Sequence, residues 1–274
     1  PDAVEAAAIA DPARPIVLAR RRDAGRLAPS VAPGLAEVGA FLPYSPLHHL
    51  LLGSFGGPVV ATSGNVSGEP VLTESAEAES RLAGVADAFL HHDGPILRPA
   101  DDSVVRVSAG RARPLRLGRG FAPLELDLPR ALPEPVLAVG GHLKLAVALG
   151  WGRRVVVSPH IGDMGTPRSE RVFAQVAADL ERLYDVRAAR LLCDAHPGYG
   201  TTRWALSDGR PVTQVLHHHA HASALLTEHG LGSPALVFTW DGVGYGGDGT
   251  LWGGEAFSGR PGAWRRVASL REFR

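Results

Sequence analysis

Val136-Leu-Ala-Val-Gly-Gly-His-Leu-Lys-Leu-Ala-Val-Ala-Leu-Gly-Trp-Gly-Arg-Arg-Val-Val-Val-Ser158 contains three short apolar runs, Val136 to Val139, Ala146 to Leu149 and Arg154 to Ser158. Runs this short, punctuated by glycine, predict three consecutive strands joined by tight turns. Val172, Phe173, Val176, Leu180 and Leu183 then recur at helical spacing and predict an amphipathic helix from about Arg168 to Leu183. Apolar runs near Leu191 and Val212, a histidine-bearing helical segment and a strand ending at Trp240 extend the order to βββαβαβαβ. That order predicts an α/β domain with a mixed sheet flanked by helices.

Upstream lies Ala122-Pro-Leu-Glu-Leu-Asp-Leu-Pro-Arg-Ala-Leu-Pro-Glu-Pro135. Proline at this density disfavours a helix or a central strand, so 122–135 reads as a linker between domains at 1–121 and 136–274. In the first half, Pro15 to Ala19, Pro58 to Thr62, Asp102 to Val107 and Pro114 to Leu117 read as strands. They alternate with helices near Pro46 to Leu52 and Glu74 to Ala83, so this half is α/β as well.

The 274 residues suffice for two domains. Lys plus Arg and Asp plus Glu each number 28, and this balance offers no electrostatic footprint for nucleic acid. Cys193 is the only cysteine, set in an apolar run, which excludes an internal disulfide and predicts a buried strand thiol. No apolar run approaches the roughly 20 residues of a membrane span, and no basic-then-apolar leader opens the chain. A soluble, cytoplasmic protein is expected. The start at Pro1 and the uncapped end Arg266-Val-Ala-Ser-Leu-Arg-Glu-Phe-Arg274 read as a fragment.

Two stretches carry chemistry. In His217-His-His-Ala-His221, His217 and His221 stand at i and i+4 near a helix start, which is metal-ligand spacing. Ala235 to Trp240 reads as a buried strand delivering Asp241 to the glycine-rich turn Gly242 to Thr250, where its carboxylate completes three ligands. A solvated histidine run is the plainer alternative; the acidic strand end favours the metal. In the first half, Thr62-Ser-Gly-Asn-Val-Ser-Gly-Glu-Pro70 places Ser63, Asn65 and Ser67 on a loop straight after a strand. Hydroxyls, an amide and free backbone N–H groups make a phosphate cradle, although the same residues build ordinary turns. Arg116, at a strand end beside Gly118, suits a phosphate or carboxylate.

Leu42-Pro-Tyr-Ser-Pro-Leu-His-His-Leu-Leu51, the Ser63 loop, Asp101-Asp-Ser-Val-Val-Arg106 and Leu115-Arg-Leu-Gly118 resemble the later part of a YrdC-like domain. Ala138-Val-Gly-Gly-His-Leu-Lys144, Val157-Ser-Pro-His-Ile-Gly-Asp163, Asp194-Ala-His-Pro-Gly-Tyr199, the histidine cluster and Asp241 through Glu255 resemble the opening part of an actin-like, metal-binding carbamoyltransferase domain. The two together, in this order, resemble the HypF family of hydrogenase maturation carbamoyltransferases, and the likeness covers nearly the whole chain. Family members carry an acylphosphatase-like domain and a zinc-finger-like segment upstream, and more of the second domain downstream.

The resemblance implies a two-site mechanism. Carbamoyl phosphate is cleaved, the carbamate reacts with ATP to give carbamoyl adenylate and pyrophosphate, and the carbamoyl group passes to the C-terminal cysteine of the partner HypE. There it becomes a precursor of the cyanide ligands of [NiFe]-hydrogenase. By the same resemblance Ser63, Asn65, Ser67 and Arg116 bind the adenylate, with Arg98 and Ser103 at neighbouring positions. His217, His221 and Asp241 hold a metal, iron or zinc, and Mg2+ accompanies the ATP. Gly140, Gly141, Gly242, Gly244 and Gly246 lie on loops near the nucleotide phosphates, with Lys144 as the catalytic cation. His160, Asp163 and His196 recur in the family pattern without an assignable role. Two positions depart from it: Gly94 replaces an arginine, and Leu145 replaces a polar residue. An O-carbamoyltransferase acting on a small-molecule hydroxyl is the nearest alternative, but there the two modules run in the opposite order. In the tRNA threonylcarbamoyl machinery the modules are separate proteins. A non-catalytic ATP- or metal-binding module is the alternative of a different class. The fragment alone is expected not to carbamoylate HypE.

Overall fold

The computed structural model describes residues 1–21, 27–231 and 234–271; residues 272–274 of the uncapped end lie outside them. The helices are α1 Ala3–Ala10, α2 Pro46–Phe55, α3 Ser75–Leu82, α4 Pro167–Tyr184, α5 Gly200–Ser207 and α6 His217–Glu228. The strands are β1 Ile16–Arg20, β2 Glu37–Ala40, β3 Val104–Ser108, β4 Arg111–Arg116, β5 Leu124–Asp127, β6 Val136–Ala138 and β7 Ala148–Trp151, then β8 Arg154–Val157, β9 Arg190–Asp194, β10 Val212–Val215, β11 Ala235–Tyr245, β12 Leu251–Arg260 and β13 Ala263–Ser269. The chain forms two units, one of residues 1–124 with 159–161, the other of residues 125–158 with 162–274.

The first unit is built on a sheet ordered β2-β1-β3-β4, in which β1 pairs parallel with β3 and antiparallel with β2. Val17, Ala19 and Val105 fill its buried face. Helix α1, which the apolar periodicity did not single out, is held by a reciprocal cap. Asp2 accepts from the Glu5 amide, and Glu5, itself buried, accepts from the Asp2 amide at 2.7 Å and from the Arg20 amide at 3.2 Å. The strand expected at Pro58 to Thr62 does not form. Val60 is 79% exposed, and an apolar run without a pairing edge and a face to bury has nothing to hold it extended in a sheet.

The second unit carries a sheet ordered β10-β9-β6-β7-β8-β5. Strands β6, β9 and β10 run parallel and β7 and β8 antiparallel. Leu137, Leu149, Val156 and Leu191 are fully buried, each contributing about 1.5–3 kcal/mol by leaving water. Strand β5 lies inside the Pro-rich stretch and takes an edge, where a strand tolerates neighbouring proline. Only the β7–β8 connection is a tight turn, at Gly152; the β6–β7 connection is a longer loop that buries Val139, Leu145 and Val147. Helix α4 starts at a Thr166 cap with Pro167 in its first turn, and buries Val172, Phe173, Ala177 and Leu180. Leu183, expected on that face, is exposed in the last turn beside the left-handed Asp185 that ends the helix.

Strand β11 does not extend this mixed sheet. It forms an antiparallel sheet of its own with β12 and β13, because the turn at Gly246 to Thr250 folds it onto the next strand. Its burial alternates, with Val237 and Thr239 inside and Leu236, Phe238 and Trp240 outside, so it is half-buried where a buried strand was expected.

Candidate metal and nucleotide sites

Helix α6 lacks a side-chain cap at its N-terminus, so its position comes from packing. His218, Ala222 and Leu226, spaced i, i+4 and i+8, are buried, and Ala222 and Leu226 pack against Val237, Trp252 and Phe257 of the hairpin. That stripe sets the helix rotation. His217 and His221, one residue round the helix, are turned toward Asp241. His217 Nε2 lies 2.5 Å and His221 Nε2 3.3 Å from Asp241 Oδ2, and the two nitrogens are 3.2 Å apart. All three ligand atoms fall within 4.8 Å of one another.

Asp241 is not at a strand end. Strand β11 continues to Tyr245, and Asp241 sits in a bulge: Trp240 faces Gly254 while Gly244 faces Trp252, so β11 carries extra residues there. A bulge re-aims a side chain that regular alternation would point elsewhere. The Gly242 amide donates to Asp241 Oδ1 at 2.7 Å. Burial pushes the Asp241 pKa up, but the bonds from His217 and Gly242 prevail and hold it below the ordinary carboxylate range.

A fourth residue, absent from the sequence reading of this site, completes the arrangement. Asp194, at the end of β9 and 8% exposed, approaches His217 Nδ1 through Oδ2 at 3.3 Å and accepts from the His196 amide through Oδ1 at 2.8 Å. This bond raises the His217 pKa, opposed by burial and reinforced by Asp241. A carboxylate on one imidazole nitrogen assigns the other to a metal and fixes the ring. The detectable signal was an acid ending an apolar run, as in Arg190-Leu-Leu-Cys-Asp194. Cys193 beside it is buried, as expected, and burial raises its pKa.

The site lies at the C-terminal ends of the parallel strands, the usual place for ligands in α/β sheets. After β6, the Gly141 carbonyl accepts from Thr201 Oγ1 at 2.9 Å, and an added side-chain carbon at Gly141 would stand 3.7 Å from Asp194 Oδ2. Lys144 holds a left-handed backbone (φ +50), secured by its amide donating to Asp163 Oδ1 at 2.7 Å. Its side chain is exposed and makes no ion pair among the described residues. Leu145, in place of a polar residue, is a core side chain. Tyr199 stacks between His142 and His196, at ring separations of 5.1 and 4.1 Å.

A side-chain carbon at Gly244 would come within 2.6 Å of His218, and one at Gly246 within 2.1 Å of Trp252, so both serve close packing. Gly242 faces open space. His218, fully buried and with its pKa lowered by that burial, bonds the Gly253 carbonyl through Nε2 at 2.8 Å.

In the first unit, Ser63 and Ser67 are exposed on the loop. The Ser63 hydroxyl donates to Asn65 Oδ1, and Asn65 Nδ2 donates to the Val66 and Glu69 carbonyls at 3.0 Å each, so Asn65 organises the loop. Ser103 is fully buried; its hydroxyl donates to the Arg119 carbonyl at 3.0 Å and accepts from the Gly118 amide at 2.9 Å, so it fastens β3 to the segment after β4 instead of facing a ligand. Arg98 is exposed on the preceding loop. Arg116 ends β4, 41% exposed, with Nη1 3.7 Å from Asp101 Oδ2. Arg119 is engaged: it bonds Asp102 Oδ1 twice at 3.0 Å, donates to the Ala13 and Arg14 carbonyls, and lies 3.4 Å over the Tyr44 ring.

No helix among the described residues is long and apolar enough to cross a membrane. Three family models tile the chain. Residues 2–118 match the Sua5/YciO/YrdC model described as Telomere recombination, 131–228 the HypF Kae1-like domain, and 237–274 the Carbamoyltransferase, Kae1-like Domain, second subdomain. Carbamoyltransferase HypF of Synechocystis sp. is 41% identical over 274 residues, covering 100% of this chain and 36% of the relative. Its namesake in Rhodobacter capsulatus is 42% identical over 275 residues, covering 97% and 36%. Among solved structures, full-length HypF in its phosphate- and nucleotide-bound form superposes with a TM-score of 0.91 at 34% identity, over 97% of this chain and 42% of that one. HypF of T. kodakarensis superposes with a TM-score of 0.85 at 34% identity, over 94% and 34%. The chain thus spans about a third of the length of the curated relatives it matches. Because both sets of likenesses run through both units, the chain belongs to the HypF carbamoyltransferases, a family of enzymes.

Proposed function

We propose that the chain carries parts of two sites of an ATP-dependent carbamoyltransferase of [NiFe]-hydrogenase maturation. In the first unit a carbamate oxygen attacks the α-phosphorus of ATP, with Mg2+ on the nucleotide, forming carbamoyl adenylate and releasing pyrophosphate. In the second unit a thiolate of the acceptor, the C-terminal cysteine of HypE, attacks the carbamoyl carbon and AMP leaves. Carbamoyl phosphate is the source of the carbamate. Forming the mixed anhydride turns a poor leaving group into a good one, and enclosure shields it from water.

The observation that carries this reading is the convergence of His217, His221 and Asp241 at the C-terminal ends of parallel strands, with Asp194 behind His217. Two imidazoles and a carboxylate suit iron or zinc. When bound there, the metal supplies Lewis-acid polarisation of a carbamoyl or phosphate oxygen. The chain's own residues do the rest. Asp194 fixes the His217 tautomer, Gly141 leaves room beside it for a nucleotide while Gly140 (φ +66) packs against Leu145, and Lys144 offers an ammonium to a phosphate. In the first unit the exposed Ser67 hydroxyl and the Arg116 guanidinium meet the developing anionic charge, and Ser63, whose hydroxyl donates to Asn65 Oδ1, shapes the loop that carries Ser67.

The test uses the full-length protein. Arg116→Ala should abolish ATP–pyrophosphate exchange while carbamoyl phosphate hydrolysis continues, and His221→Ala should spare exchange while lowering metal content and carbamoyl transfer to HypE. Unchanged exchange in Arg116→Ala would remove the adenylate site from this unit.

A further inference from the structure

His160 follows the second unit's β8 in sequence, yet residues 159–161 pack with the first unit. The His160 amide donates to the Leu117 carbonyl at 2.7 Å, one residue past Arg116. Its ring, 15% exposed, bonds Asp101 Oδ2 through Nδ1 at 2.9 Å. That is the oxygen Arg116 approaches at 3.7 Å. We propose that His160 is a positioning residue of the anion site in the first unit, locking the Asp101 carboxylate so that Asp101 in turn aims Arg116.

The argument is geometric. An exposed arginine beside a carboxylate is weakly restrained, because water screens the attraction and two mobile side chains lose entropy to hold one geometry. Arg116 is such a case at 41% exposure, and Asp101 is itself 23% exposed. A donor 2.9 Å away, on a residue whose own amide is tied to the Leu117 carbonyl, restricts the freedom of the carboxylate. Asp101 is further pinned through its main chain, since its carbonyl accepts from the Arg119 amide at 2.8 Å. Arg116 is thus steered at ion-pair distance with its donor fork unspent. Arg119 shows the contrast, with four hydrogen bonds to protein acceptors occupying four of its five N–H donors. A fork aimed but not consumed is what bidentate recognition of a phosphate or carboxylate requires.

This inference rests on the adenylate reading of Arg116, and the experiment separates the two. ATP dissociation constants are measured calorimetrically in the full-length protein for wild type, Arg116→Ala, His160→Leu, His160→Asn and the Arg116→Ala/His160→Leu double variant. His160→Leu should weaken ATP binding about tenfold in the wild-type background and less than twofold in the Arg116→Ala background, since residues acting in series are non-additive. His160→Asn, which keeps a donor near the Nδ1 position, should recover most of the loss. Asp101→Asn, which preserves shape and removes the charge that steers Arg116, should reproduce the His160→Leu loss and keeps the proposal open to refutation if that variant fails to fold. Equal weakening on both backgrounds, or none in folded His160→Leu or in Asp101→Asn, overturns the positioning role. No weakening in Arg116→Ala overturns the adenylate reading and the positioning role with it.

Discussion

Replacing Asp194 by asparagine tests whether the metal centre depends on a residue that never touches the metal. In the structure Asp194 Oδ1 accepts from the His196 amide at 2.8 Å, and Oδ2 lies 3.3 Å from His217 Nδ1. Asparagine keeps its oxygen on the His196 amide and so presents its NH2 group to His217. A donor there demands an unprotonated Nδ1, which places the proton on Nε2, the nitrogen that points at Asp241 and His221. Before ligating a metal, His217 must then lose that arrangement, and the ring also forgoes the basicity lent by the carboxylate. Loss of such an outer partner costs about 10- to 100-fold in metal affinity, which corresponds to about 1.4–2.8 kcal/mol. Because Asp194 is nearly buried, the effect should persist at high salt. The assay is competition for Zn2+ against a chromogenic chelator, using the full-length protein, with His221→Ala as the ligand-deletion control. Asp194→Asn should still bind one metal at saturation, with weaker affinity. An affinity equal to wild type, alongside a clear loss in His221→Ala, would refute the role assigned to Asp194.

Three further outcomes follow from the geometry. His218→Ala empties a fully buried site and removes the bond to the Gly253 carbonyl, so it should cost about 2–4 kcal/mol of stability yet still bind one metal at saturation; loss of metal stoichiometry in the folded variant would make His218 a ligand. Gly118→Ala should lower the melting temperature, since its new carbon would stand 2.3 Å from the Asp101 carbonyl oxygen and overpacking against backbone costs about 1–3 kcal/mol or more; an unchanged melting temperature would contradict this packing. The hydrogen bond from Arg210 holds the Asp208 pKa below the ordinary carboxylate range, with burial opposing and the Arg210 charge assisting. A depressed folded-state pKa contributes stability above the unfolded value, about 4, and that contribution fades as pH falls through the folded value. The melting-temperature gap between wild type and Asp208→Asn should therefore be constant above about pH 5 and close below about pH 4; a gap that widens in acid would reverse the sign.

Local pattern carried much of this protein. The period of Val172, Phe173 and Leu180 specified α4, because one face of a helix repeats every 3.6 residues whatever packs on it. The i, i+4 spacing of His217 and His221 specified a shared helix face for the same reason, and the family resemblance ordered the two units. Other features were not local. Pro58 to Thr62 has strand composition but pairs with no strand among the described residues, and β11 chose a hairpin partner that the βαβ order does not mention. Asp194 joined the metal site, and His160 joined Asp101, across 23 and 59 residues of sequence. Composition and spacing determine which faces a segment offers. Which faces meet is decided by packing between segments distant in the chain, and here that packing brought Asp194 to His217, His160 to Asp101, and a bulge to the carboxylate of Asp241.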